Sequence, residues 1–438
     1  MIRVRIVPSI VALIVMATSS GADDLPRPID VPLATQYFQE AARLWKADGG
    51  KLWGRSLEGP LMFVDRATRL AVTNRADSEG HLHAEGGVFA GKLPDTVSVA
   101  NTSTKWAGVD WIMILWPLPT NDTERRALMM HESWHRIQKD LGFPSTGPGN
   151  GHLDTFDGRY WLQLEWRALA VALRQRGDQR RQAVEDALVF RAERRTKFKE
   201  AANDERLMEM HEGLAEYTGV RLSGVEPAAR ELYVAGEIDR RPPELPTFVR
   251  SFAYLSGPAY GLLLDDAAPD WQRKAKSTDD FGALLQTALA IKLSDPTAAD
   301  LLARSRRYDG DKLRQSEEER DVKRRERIAE LKARFVDGPV LTIPLEKMQI
   351  SFNPSAMQPL EGHGAVYMTA RITGTFGILT APQGVLMSPD FKHATVPAPK
   401  DHEARPITGD GWTLQLADGW RLKPGQRKGD WEAVTEKK

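Results

Sequence analysis

The stretch His131-Glu132-Ser133-Trp134-His135 constrains this chain more than any other part of it. Two histidines four residues apart share a face only on a helix, where both imidazoles can reach one metal ion. The glutamate between them can then take a proton from a water on the ion's open side. The flanking residues agree with a helix. Asn121-Asp122-Thr123-Glu124 reads as a capping-box start, and Gly142-Phe143-Pro144 as a stop. Met130, Trp134, Ile137 and Leu141 recur at helical spacing and predict a buried stripe beside the histidine face. The rest of the chain must deliver at least one more ligand to this helix.

What supplies that ligand is narrowed by composition. The chain has 438 residues and no cysteine, which excludes disulfides, a thiol nucleophile and any cysteine-based metal site. Ligands must offer nitrogen or oxygen. Sixty Lys and Arg balance sixty Asp and Glu, so no net charge points to nucleic acid as a partner. At the N-terminus Arg3 and Arg5 precede the apolar run Ile6 to Ala17, and Ser20-Gly21-Ala22 offers small residues ahead of Asp23-Asp24. Residues 1–22 therefore read as a cleavable secretory signal, too short to span a bilayer. The expected location is the periplasm or outside the cell, with no stable membrane insertion once the signal is removed.

Periodicity divides the remainder. Residues 23–120 read as an α+β part. It holds a helix over Leu33 to Asp48, a hairpin of Leu61–Val64 and Leu70–Thr73, and strands at Val97–Ala100 and Trp111–Trp116. Residues 121–305 read as mainly helical: the metal helix, Tyr160 to Arg176, a charged segment from Arg180 to Glu200, Glu205–Thr218, Phe252–Leu264 and Phe281–Leu293. Residues 306–338 read as a charged, solvated connecting helix. From 339 to 438 the period changes to two, as at Val366, Met368, Ala370 and Ile372, and a small all-β domain is expected. The fold class is α+β.

A catalytic zinc site has three protein ligands and one open position. Two glutamates on predicted helices are candidates for the third ligand. Glu212 lies in Met210-His211-Glu212-Gly213-Leu214-Ala215-Glu216-Tyr217, and Glu165 in Leu164-Glu165-Trp166. In favour of Glu212, Gly213 is costly inside a helix unless another element approaches closely, and Glu216 follows one turn later on the same face. Against it, Glu205, Glu209, Glu212 and Glu216 form a row of the kind that usually faces solvent. Glu165 has Leu169 at the corresponding offset, which offers no supporting acid.

H-E-x-x-H followed by E-G-x-A-E-Y resembles the gluzincin metallopeptidases, including bacterial collagenases and leucyl-aminopeptidase-like enzymes. The resemblance covers residues 128–220 and the preceding strands. It implies a zincin-like catalytic domain in which Glu212 completes the site of one zinc ion, Glu216 steadies a bound histidine and Glu132 is the general base. The separation between His135 and Glu212 exceeds the usual gluzincin spacing and requires an inserted helical hairpin; Glu165 lies closer to that spacing. The resemblance further implies an oxyanion donor among downstream tyrosines, here Tyr254 or Tyr260, although each taken alone fits a packing residue better. It also implies a sheet edge at Trp111–Trp116 that pairs with an extended substrate, although a buried strand fits the same apolar run. A peptide or protein is then the substrate.

Four other histidines are weighed. His152 with Asp154 could form a substrate or supporting pair, His81 and His83 alternate on a predicted strand, and His211 reads as structural, pointing off the ligand face. Two rival readings remain open: an envelope protein whose zinc only staples helices, and a binding protein acting through its C-terminal β domain.

Overall fold

The computed structural model describes residues 29–436, apart from 95, 146, 148 and 353–356. The expected signal at 1–22 lies outside the described residues. The chain forms two compact units that divide between Leu313 and Arg314. It is mixed α/β with three sheets, and its C-terminal region is all-β. Among the described residues no helix is long and apolar enough to cross a membrane.

In the first unit a six-stranded sheet has the order β3-β4-β2-β1-β6-β5. Its strands are β1 (Leu61–Asp65), β2 (Leu70–Thr73), β3 (His83–Glu85), β4 (Val88–Lys92), β5 (Thr102–Trp106) and β6 (Val109–Trp116). β1 and β2 form the expected hairpin, with Phe63 opposite Val72. β1 and β6 run parallel, from Leu61 opposite Ile112 to Asp65 opposite Trp116. Both are buried on both faces. Phe63, Ile112 and Ile114 join the main core, while Met62, Val64, Trp111 and Met113 join a smaller one on the opposite side. Central burial explains their uninterrupted apolar runs.

Two expectations are corrected here. Trp111–Trp116 is not a sheet edge, because β6 lies between β1 and β5. Val97–Ala100 is not a strand; the outer strand is Thr102–Trp106, whose residues alternate between half-buried and exposed. An edge strand with one wet face carries Thr, Ser and Lys, so it shows no apolar run to read.

Helices pack on one face of this sheet. α1 (Val31–Asp48) is tied to α2 (Asp122–Gln138) by Arg125, which donates to Glu40 at 2.8 Å and stacks over Tyr37. Asn121 caps α2 by accepting from the Glu124 amide at 3.2 Å, and a 3₁₀ turn, Lys139–Leu141, ends at left-handed Gly142. Met130, Trp134 and Ile137 are fully buried, as the stripe requires. α3 (Phe156–Arg174) and α4 (Gly177–Thr196) are joined across Gln175 and Arg176 and form a helical hairpin that lies, along the chain, between α2 and the Glu212 region.

α4 buries part of its charge. Its Arg191 and Arg194 are buried and hold Glu165 of α3 together with Glu205 and Glu209. α5 (Ala201–Met208), a π turn (Glu209–Gly213) and α6 (Leu214–Leu222) then run on as one helical stretch. α7 (Pro227–Arg240), α8 (Ala253–Ala267), α9 (Phe281–Ala288) and α10 (Ala298–Arg306) complete the unit.

α11 (Gly310–Lys332) is strongly charged. In the second unit Leu331, near its end, and Phe335 beyond it are buried against Leu360, Val366 and Leu386. Seven-stranded and six-stranded sheets then share a core that includes Leu341, Ile343, Ile372, Leu379 and Leu414. The alternation read from Val366 to Ile372 belongs to two strands, Gly364–Tyr367 and Ala370–Gly374, which lie in different sheets.

Candidate metal centre

The site forms where α2 meets the helical stretch 201–222. Their approach depends on a glycine. A Cβ at Gly219 of α6 would lie 2.5 Å from the Ala127 carbonyl oxygen and 3.4 Å from the His131 Cβ. A second glycine contact brings in α8. A Cβ on Gly257 would stand 2.3 Å from the Gly213 Cα, so the two backbones touch at the residue following Glu212. That crossing is the close approach for which Gly213 is needed. It places Tyr254, one turn earlier on α8, over the His131 ring with nearly parallel planes and centroids 5.6 Å apart.

The π turn matters as well. The Leu214 amide donates to the Glu209 carbonyl, so one extra residue is accommodated within the helix. Such bulges recur at functional sites because they re-aim side chains. Here Glu209 faces the buried arginines, while Glu212 reaches the histidines of α2.

Three atoms able to bind one ion converge. His131 Nε2 and His135 Nε2 are 3.1 Å apart, and Glu212 Oε2 lies 3.6 Å from the first and 3.5 Å from the second. Ligand atoms about 2.0–2.1 Å from one tetrahedral ion stand about 3.3 Å apart, so these separations suit a small divalent cation. The Nδ1 atoms are engaged elsewhere: His131 Nδ1 lies 2.8 Å from Glu216 Oε2, and His135 Nδ1 lies 2.7 Å from Gln138 Oε1. Were both rings neutral with each Nδ1 proton directed to an oxygen, the Nε2 lone pairs would face each other, an arrangement that a bound cation would relieve. Among the described residues this is the group of histidines and acids placed to hold a metal.

Electrostatics follow from burial and pairing. Burial opposes charge on His131, but Glu212 and Glu216 outweigh it and hold the imidazole well above its ordinary value. Burial pushes Glu132 up, and Glu212 and Glu216 add to that push. One Glu132 oxygen, Oε2, is buried with no hydrogen-bond partner among the described residues. Burial likewise opposes charge on Glu212, yet its pairing with His131 and His135 holds the carboxyl well below the usual range. Burial and the adjacent Glu212 raise the Tyr254 phenol, which stays protonated and donates to Glu212 Oε2 at 2.7 Å.

Of the two glutamates considered as third ligand, Glu212 is the one brought to the histidines. Glu165 is fully buried in another cluster, where it pairs with Arg191 at 3.1 Å and with Arg194. Tyr260 belongs to that cluster too. Its hydroxyl donates to Glu165 Oε1 at 2.7 Å, so it is removed from the candidate oxyanion donors, while Tyr254 lies at the centre.

His211 does not point away. Its Nε2 is 3.2 Å from Glu212 Oε1 and its ring lies 5.0 Å from that of His135, and burial pushes its pKa down to about 4. His152 pairs with Glu205 at 2.9 Å, whereas Asp154 accepts from the Phe248 amide at 2.8 Å, so the two form no pair with each other. His81 stacks on Trp106, and neither it nor His83 joins a metal-capable group among the described residues. Two residues escaped sequence reasoning. Arg250 donates to Glu212 Oε1 at 3.0 Å from a largely exposed side chain, and Gln138 is buried beneath His135. Only its position three residues after His135 on the same helix could have singled out Gln138.

No protein-family model, curated protein or solved structure matches the chain.

Proposed function

We propose that this protein is a secreted or periplasmic zinc-dependent metallohydrolase, a peptidase of gluzincin type with a zincin-like catalytic domain. The observation that carries the reading is the convergence of two imidazole nitrogens and one carboxylate oxygen within 3.1–3.6 Å, beside a buried Glu132 oxygen with no partner among the described residues. His131, His135 and Glu212 hold one zinc ion per chain. A nitrogen and oxygen donor set of two histidines and a carboxylate is the kind zinc hydrolases use, with one position left for water. The chemistry that zinc supplies there is Lewis acidity toward a water and toward the substrate carbonyl.

The remaining steps belong to the chain's own residues. Glu132, buried and free of other engagement at Oε2, takes the proton of the attacking water and later returns it to the leaving amine. Glu216 fixes the His131 ring through Nδ1. Tyr254, released from Glu212, donates to the oxygen that gains charge in the tetrahedral state. The outer strand β5 offers its free edge to an extended peptide by strand addition.

A purely structural zinc would need a fourth protein ligand and no base at Glu132. The Glu132 oxygen with no partner among the described residues favours the hydrolase over a staple. The deciding test compares wild type with Glu132→Gln on a mixed peptide library, read by mass spectrometry, with bound zinc measured in both. Retained zinc with turnover reduced by about a thousandfold or more is expected for loss of a general base. Undiminished cleavage by the variant refutes the mechanism.

A further inference from the structure

We infer that Gln138 is a positioning residue that fixes the proton on both His135 and His211, and through them orients two of the three metal ligands. The inference rests on the reading of His131, His135 and Glu212 as the metal-binding set.

A glutamine amide has one end that only accepts and one that only donates. Gln138 is 1% exposed, so neither end can turn to water for its partner. Its Nε2 end contacts the Pro144 carbonyl oxygen, which can only accept, so this end must be the NH₂ group. The same nitrogen lies 2.9 Å from His211 Nδ1. His211 Nδ1 must then accept, and the proton of the neutral ring sits on Nε2, which lies 3.2 Å from Glu212 Oε1.

The opposite end of the amide fixes the second ring. Gln138 Oε1 accepts from His135 Nδ1 at 2.7 Å, which leaves His135 Nε2 bare and turned toward His131 Nε2. Reversing the amide would set its oxygen against the Pro144 carbonyl and its NH₂ against the His135 N–H. One amide thus selects a tautomer at each imidazole.

The result at Glu212 is a division of labour between its oxygens. Oε1 accepts from Arg250 Nη2 at 3.0 Å and lies 3.2 Å from His211 Nε2, while Oε2 faces the two ligand imidazoles. Among the described residues Gln138 has no hydrogen bond to either Nε2 atom or to Glu132. It acts through His135 and His211 alone.

The test uses metal-free protein labelled with ¹⁵N-histidine, with the rings assigned by single-histidine substitution and two-bond ¹H–¹⁵N correlations recorded at pH 8. The expected spectrum shows His211 protonated at Nε2 and His135 at Nδ1. Either ring in the opposite tautomer overturns the inference. In Gln138→Met, His135 loses its acceptor and should populate the Nε2–H form, with zinc affinity roughly 10–100-fold weaker by chelator competition. Unchanged tautomers and affinity in a folded Gln138→Met would also overturn it. If the variant does not fold, the wild-type spectrum alone decides. If wild type binds no zinc, the metal reading fails, and the tautomers still judge Gln138 separately.

Discussion

Glu216 Oε2 lies 2.8 Å from His131 Nδ1, so the first histidine of the motif is held by an acid from a different helix. The contact links the α2 and α6 backbones, which already touch where Gly219 meets Ala127. Removing it frees the ring and lowers the basicity of Nε2. Glu216→Ala should weaken zinc binding roughly 10–100-fold, measured by competition with a chromophoric chelator. Wild-type affinity in that variant would mean that Glu216 does not support the ligand.

The glycine crossing gives a packing prediction. Gly257→Ala puts a Cβ 2.3 Å from the Gly213 Cα, a clash with backbone that no side-chain rotation relieves. The expected cost is about 1–3 kcal/mol of unfolding free energy, read by urea denaturation, together with weaker zinc binding because the crossing seats both Glu212 and Tyr254.

The buried cluster around Glu165 should govern stability and leave zinc stoichiometry unchanged. Arg194 bonds Glu205 at 2.7 and 2.8 Å and also pairs with Glu165, and this pairing holds the Glu205 carboxyl well below its usual range despite burial. Arg194→Met takes one partner from each of two buried carboxylates, Glu165 and Glu205, and should cost about 3–5 kcal/mol. Chemical denaturation measures the loss, and the protein that remains folded should still carry one zinc per chain.

How far the site could be read from sequence follows from which interactions are local. The capped α2 helix, its buried stripe and the β1–β2 hairpin depend on neighbours within a few residues, and those patterns were legible. Glu212 was legible because Gly213 is anomalous inside a helix. The π turn was not, since no residue preference specifies it. Arg191 and Arg194 read only as part of a charged segment because their partners Glu165, Glu205 and Glu209 lie outside α4. Gln138 and His211 gained their roles only when α2, Pro144 and the π turn came together.

Glu124 provides a pH signature at the start of α2. It is 4% exposed, and burial, with the Glu237 carboxylate adding to it, pushes its pKa up to about 7. Below the unfolded value of about 4.5 both states hold the proton, and the folded protein bears no penalty. As pH rises from there to about 7 the unfolded chain ionises first, so stability falls, and it levels off once the folded carboxyl has ionised too. Glu124→Gln should therefore match wild type at pH 4 and exceed it by about 1–2 kcal/mol at pH 8, after allowing for solvent screening. Urea melts at the two pH values check the sign.

The most direct test of the metal centre is zinc per chain, measured by elemental analysis in wild type, Glu212→Ala and Glu165→Ala purified at neutral pH without chelator. The predicted result is one zinc in wild type, one in any folded Glu165→Ala, and little or none in Glu212→Ala. Absence of zinc from wild type, or its full retention in Glu212→Ala, would contradict the account.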